Sequence, residues 1–280
     1  MWLSCAAIRC CPSFWLRPGS TACANNVVAF TLELLGNLPK HIRLRLVRAD
    51  SGFCQAPLLA LLDSQKLRYI VVAKLHQPLQ RLCRKDTLWH ASPVPGTDVA
   101  SVWHQEKGWD QPRRIVLIRH RVEEKKRPGG KKLIDVPGYS FQALVTSLPE
   151  SVPAISVWRD YNLRAGCEGV IKQLDTDFAL DKLCLKKFFA TEAAMSLAVV
   201  TYNLCVLFQR HLGWMDRVTA STLRFRLFTT GGIISNTAGR TTVRLAVPAG
   251  QRQWWRELYR KLLSLFPNCN AIPSSPPCID

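Results

Sequence analysis

The stretch Tyr161-Asn-Leu-Arg-Ala-Gly-Cys-Glu-Gly-Val-Ile-Lys172 sets a phenol ring, two cations and a carboxylate at helical offsets. At ~100° per residue, Tyr161, Arg164, Glu168 and Lys172 fall on one face of a helix. A carboxylate flanked by side chains that seek phosphate fits metal-assisted phosphodiester chemistry. The plainer alternative is an exposed helix held by an Arg164/Glu168 pair at i,i+4, worth ~0.3–0.5 kcal/mol. The rest of the chain decides between them.

Upstream, His41-Ile-Arg-Leu-Arg-Leu-Val-Arg48 alternates Ile42, Leu44 and Leu46 with basic residues, the pattern of a half-buried strand. It runs into Asp50 and then Gly52, which sets a carboxylate at the C-terminal edge of the strand. Pro57 opens a helix through Leu62, and Arg68 to Leu75 forms the next strand. Strand, helix, strand in so short a space is an α/β unit. An amphipathic helix from Ala24 to Leu35 precedes it.

From His76 to Pro149 the texture changes to short strands and turns. Arg114 to Glu124 alternates, with Val116, Ile118 and Val122 on one side and Arg119, Arg121 and Glu123 on the other. Arg127 to Lys132 is a turn and Phe141 to Leu148 a returning strand. Further on, Phe188 to Phe208 reads as a long apolar helix buried in a protein core. Leu223–Phe228 and Thr241–Ala246 bracket a Gly-Gly turn, and Gln253 to Leu265 is a basic amphipathic helix before a Pro/Ser-rich end.

Tyr161, Arg164 and Glu168 match the Y-x2-R-x3-E part of a Y-x2-R-x3-E-x6-K signature. The chain thereby resembles a large group of bacterial insertion-sequence transposases, DDE enzymes built on a ribonuclease-H-like core. Trp158-Arg-Asp-Tyr161 leads in and Ile171 to Phe178 follows in keeping with that group. Arg48-Ala-Asp50-Ser-Gly-Phe53 is similar to the group's second-aspartate motif, and the resemblance runs from about Trp15 to about Leu245.

The resemblance implies an α/β fold: a ribonuclease-H-like core, incomplete at its N-terminus, with a β-rich insertion and a helical C-terminal part. Its expected segments are an unmatched start at 1–14, the first part of the core at 15–75 and the insertion at 76–152. The core returns at 153–213, followed by a C-terminal extension at 214–280. The implied chemistry is metal-dependent cleavage and strand transfer on the ends of a mobile DNA element, with Mg²⁺ (or Mn²⁺) held by acidic side chains. Carried over residue by residue, Asp50 and Glu168 stand at the second and third catalytic, metal-holding positions. Tyr161 and Arg164 match the pair that grips phosphates beside the cleaved bond. The implied partners are double-stranded DNA (terminal repeats and target) and a second copy of the chain, because two ends are paired before cutting.

Two departures bear on activity. No aspartate occurs between Met1 and Ala49, and Glu33, the only acid there, lies in the expected first helix. The first catalytic aspartate is therefore absent, and an N-terminally truncated, impaired transposase is expected. The alternative is a non-catalytic DNA-binding remnant. The signature's final lysine position holds Asp175, so Lys172, one turn after Glu168, is the candidate for that phosphate contact.

Charge agrees with a polyanionic partner. The chain has 38 Lys and Arg against 20 Asp and Glu, a net charge of +18, which draws nucleic acid or an acidic membrane face. Arg113, Arg114, Arg119, Arg121 and the 125–132 turn would suit a DNA backbone, or form a solvated charge run. Trp103 and Trp109 either stack on an extruded base or pack in the core. Eleven cysteines are scattered without C-x2-C or Cys/His clusters, as in a cytoplasmic protein with reduced thiols. Arg9 interrupts the apolar start, and Glu192 and Asn203 interrupt the 188–208 helix, which argues against a signal peptide and a membrane span.

Overall fold

The computed structural model describes residues 2–3, 10–17, 21, 25–122, 136, 138–214 and 218–264. The chain divides into two compact units, Met1–Ala6 with Pro12–Glu168, and Ala7–Cys11 with Gly169–Asp280.

The first unit is built on a mixed sheet. A two-residue ladder of β1 (Trp2–Leu3) and β2 (Ser13–Phe14) stands apart from it. After α1 (Val27–Asn37) come β3 (Val47–Ala49), α2 (Ala56–Ser64) and β4 (Tyr69–Val72), with β3 and β4 parallel. The strand–helix–strand order is as expected, but the first strand is Val47–Ala49, and residues 41–46, expected to form most of it, have no regular structure. Pro57 sits in the first turn of α2, where a missing N–H is harmless.

Then follow α3 (Gln77–Cys83), β5 (His90–Ala91), β6 (Thr97–His104), β7 (Arg113–Arg121) and β8 (Tyr139–Thr146). They extend the same sheet, in the order β3-β4-β8-β7-β6-β5, every pair after β3/β4 being antiparallel. The β-rich segment thus shares one sheet with β3, the strand that leads into Asp50.

Both faces of that sheet are covered. Tyr69, Val71, Ile115, Leu117, Ala143 and Val145 join Leu58, Leu59 and Leu62 of α2 in one apolar cluster. Ile70, Val116, Ile118 and Leu144, the alternate residues, pack on the other face with Ile155, Val157 and Tyr161 of α4 (Ala154–Asn162). Two-sided burial is why Ile115–Ile118 is a continuous apolar run. The one-sided alternation expected for 114–124 is not seen: Arg113 to Ile118 are all buried, Arg119 and His120 are half-buried, Arg121 is exposed, and 123–124 lie outside the described residues.

The second unit contains most of α5 (Ala165–Asp177), α6 (Phe188–His211), α7 (Ala220–Leu223), β9 (Gly232–Thr237), β10 (Arg240–Leu245) and α8 (Arg252–Leu263). Leu212, Leu223, Leu227 and Leu258 form its core, with Trp214, Trp254 and Trp255 packed around them. The Lys261 ammonium donates to the Leu212 carbonyl at 2.8 Å and so satisfies the C-terminal end of α6.

Two expectations are corrected here. Residues 223–228, expected to flank a Gly-Gly turn together with 241–246, are helical, and the hairpin is β9–β10, closed by Ala238 and Gly239, both with positive φ. The helix expected in a core is only partly so. α6 is long and apolar enough to cross a membrane by length and composition, yet 22% of its most apolar window is buried. It buries Met195, Val199, Tyr202, Val206 and Gln209, with Tyr202 edge-on to Phe178 at 6.2 Å, and leaves its opposite side exposed.

Candidate active site

Asp50 follows β3 directly and caps the short 3₁₀ turn Ser51–Phe53. Its Oδ1 accepts a hydrogen bond from the Ser51 backbone N–H at 2.6 Å. The other carboxylate oxygen, Oδ2, lies 3.8 Å from Nη2 of Arg164. Asp50 therefore caps the turn that follows its strand, and still presents one oxygen elsewhere.

The helix expected to run unbroken through residues 161–172 is divided. α4 ends at Asn162, Leu163 and Arg164 form a turn, and α5 begins at Ala165. The Arg164 N–H donates to the Tyr161 carbonyl at 2.9 Å, and the Cys167 N–H to the Arg164 carbonyl at 2.8 Å. These three-residue steps tighten the backbone where Gly166 and Gly169 weaken helix propensity. The break does not separate the side chains: Arg164 Nη1 remains 3.3 Å from Glu168 Oε1.

One guanidinium thus faces two carboxylates that are far apart in sequence. Asp50 arrives from the end of a strand, Glu168 from the first turn of a helix, and Arg164 from the turn between helices. The Asp50 and Glu168 side chains are 53% and 71% exposed, and Arg164 is 26% exposed. Water reaches the carboxylates, so these pairs are screened. Ser51 was not singled out in the sequence, although the Asp-Ser-Gly turn pattern carries the signal for it.

Tyr161 is 8% exposed, its ring packed in the cluster of Ile70, Val116 and Val157. Burial pushes its phenol above the ordinary value of 10, while the neighbouring Arg164 pulls it down. Lys172 is exposed on α5, one turn beyond Glu168, and Asp175 is half-buried on the same helix.

The basic residues of β7 divide differently from the sequence expectation. Arg113 is buried and bonded to Asp63 and Asp110, each at 2.7 Å, and to the Tyr69 hydroxyl at 3.1 Å. Those bonds outweigh burial and raise its pKa. Arg114 is buried too, donating to Ser101 and to the carbonyls of Leu148, Pro149 and Val152. Arg119 pairs with Asp98 at 2.8 Å and Asp86 at 3.2 Å, and its guanidinium lies 4.9 Å from the ring centroids of Trp89 and Tyr139. Three of the four arginines are therefore held inside the unit, Arg113 and Arg119 by acids and rings and Arg114 by a hydroxyl and carbonyls, and Arg119 is not an open DNA contact. Arg121 is exposed. The 125–132 turn lies outside the described residues. Trp109 packs beneath Arg113, whereas Trp103 stays exposed and donates its indole N–H to Glu150.

Asp50 and Glu168 offer oxygen donors alone, the hard set that suits Mg²⁺ or Mn²⁺. Mg²⁺ commonly takes one or two protein carboxylates and completes its shell with water and phosphate oxygens. Among the described residues no group of three or more His, Cys, Asp or Glu side chains is gathered to hold a metal. The pair fits an ion that would draw its remaining ligands from solvent and substrate.

A family model described as "Transposase DDE domain group 1" matches residues 12–267, a span that takes in both Asp50 and Glu168. No curated protein matches the chain.

Proposed function

The chain belongs to the group 1 family of DDE-domain transposases, and we propose that it engages the ends of a bacterial insertion sequence through Asp50, Arg164 and Glu168. The observation that carries this reading is the single guanidinium lying against both carboxylates, one at a strand end and one at a helix start. When bound there, Mg²⁺ or Mn²⁺ supplies Lewis-acid activation of the attacking hydroxyl and of the leaving oxygen.

The chain's own residues do the rest. Asp50 Oδ2 and Glu168 hold the ion, and Arg164 leaves them to take a phosphate oxygen, to which its planar fork is suited. Tyr161, buried beside it, positions Arg164 rather than touching DNA. Exposed Lys172 and Arg121 meet the DNA backbone and carry no sequence information. Bringing two element ends together calls for two copies of the chain, working in the cytoplasm.

Activity is expected to be impaired. Two carboxylates hold an ion less firmly than three and leave one side of a two-ion arrangement without a protein anchor. A DNA-binding remnant is the second reading, favoured by the lack of a third donor among the described residues. Incubating the purified chain with an element-end duplex and Mg²⁺ separates the two. Cleavage that vanishes in Asp50→Asn and Glu168→Gln supports the enzyme. Binding without cleavage, unchanged in both variants, supports the remnant. Absence of any preference for DNA over another polyanion would defeat both.

A further inference from the structure

We propose that Arg48 is a further DNA-binding residue of this site, taking a second backbone phosphate besides the one bound by Arg164. The proposal deepens the reading above and rests on it. Arg48 opens the stretch Arg48–Phe53 that contains Asp50, and the chemistry described so far leaves it without a task.

The pleat of β3 decides which way Arg48 faces. Successive side chains of a strand point to opposite sides of the sheet. Val47 and Ala49 pack against the cluster that contains Leu58, Leu59 and Leu62 of α2. Leu46 packs against the other cluster, with Ile70, Val157 and Tyr161. Arg48 alternates with Val47 and Ala49 and is the ladder partner of Ile70, so it stands on the Tyr161 side. Asp50 follows two residues later in extended backbone and reaches Arg164 at 3.8 Å. Arg48 is therefore one pleat behind Asp50, about 7 Å back along the chain. β3 is an edge strand, so among the described residues no further strand closes off its outer flank.

What the guanidinium lacks points to its ligand. Arg48 is half-buried, and its Nε–H is shut off from water with no hydrogen-bond partner. None of the ion pairs among the described residues includes it. Asp50, the nearest acid along the chain, pairs with Arg164 instead. Arg113, Arg114 and Arg119 differ, for each has its N–H groups on acids, a hydroxyl or carbonyls. An unmatched buried donor is costly, more so on a charged group, and native structures rarely keep one without a use. A ligand has to bring the missing acceptor, and an anion matches the full positive charge behind the donor. Nε–H and one Nη–H form the edge of the planar fork that meets two oxygens of a single phosphate. Beside a site that engages DNA, that phosphate belongs to the backbone.

Fluorescence anisotropy with a labelled duplex of random sequence, over a salt series, tests this beside urea titration of the same full-length variants. Arg48→Met keeps most of the side chain's length and removes the charge and the fork. It should weaken binding roughly tenfold and lower the salt slope by about 1. Its urea midpoint should be unchanged or higher, because no bond of the free chain is lost. Arg48→Lys restores the charge without the fork, so it should recover the slope and only part of the affinity. A merely structural guanidinium gives the reverse, a lower urea midpoint with binding by the folded chain unchanged, and that result overturns the proposal. So do two variants that bind as tightly as the unaltered chain while Arg164→Gln binds more weakly. Arg48→Lys decides alone if the methionine variant does not fold, affinity equal to that of the unaltered chain being the refutation. If Arg164→Gln also binds normally, the reading of the site fails and the proposal falls with it.

Discussion

Replacing Arg164 with glutamine should tighten divalent-ion binding in the absence of DNA and weaken DNA binding in its presence. The guanidinium lies 3.8 Å from Asp50 and 3.3 Å from Glu168. Unit charges at such separations interact by ~1 kcal/mol in bulk water, and exposed ion pairs measure ~0.2–1 kcal/mol. The exposure of both carboxylates places these pairs in the lower part of that range. Losing two of them frees the carboxylates by ~0.5–1.5 kcal/mol, a roughly two- to tenfold gain in ion affinity. Free Mn²⁺, counted by its paramagnetic resonance during titration, reads that change directly. Fluorescence anisotropy of a labelled duplex across a salt series reads the other half, a weaker complex with a shallower salt slope. If Arg164→Gln leaves Mn²⁺ affinity unchanged while Asp50→Asn and Glu168→Gln abolish it, Arg164 does not compete with the ion and the reasoning fails.

Arg113→Ala should cost about 3–5 kcal/mol of unfolding free energy by urea titration, because it strands Asp63 and the Tyr69 hydroxyl around a vacated buried position. A loss below 1 kcal/mol would show that the bonds of Arg113 to these groups do not hold the sheet. Burial lowers the His120 pKa below the ordinary 6.5, so the unfolded chain takes up the proton first and stability falls as pH drops below 6.5. His120→Gln should flatten that part of the urea-midpoint profile, and an unaltered slope would remove His120 from the account. The Cys54 and Cys83 thiols are pushed up to about 11 by burial. Among the described cysteines, peptide mapping after brief iodoacetamide treatment at pH 8 should find exposed Cys184 alkylated before Cys54 and Cys83, and early labelling of Cys83 would contradict its placement.

The legible parts of the sequence were those where spacing alone decides structure. Pro57 and the apolar runs on either side marked β3, α2 and β4, and the alternate residues of β7 and β8 divide cleanly between two apolar clusters. What spacing does not carry is the identity of distant partners. Arg113, Arg114 and Arg119 read as an open basic surface because their acids and carbonyls come from elsewhere, Asp63 from α2 and Asp98 from β6. The division at Leu163 and Arg164 was hidden for another reason. A turn of three-residue hydrogen bonds preserves the i,i+4 meeting of Arg164 and Glu168, so the face survives although the helix does not. Asp50 came to light through its position at a strand end, which the structure keeps, and its grip on Ser51 came to light only with the coordinates.

That grip has a consequence for anyone altering the residue. Because Oδ1 is tied to the turn, the torsion of the side chain is settled as the backbone folds, and a cation bound there would meet a carboxylate already aimed. The same tie makes alanine an ambiguous probe, for it frees the Ser51 amide and loosens the turn by about 1 kcal/mol while also deleting the charge. Asparagine keeps an oxygen for the amide and withdraws the charge alone.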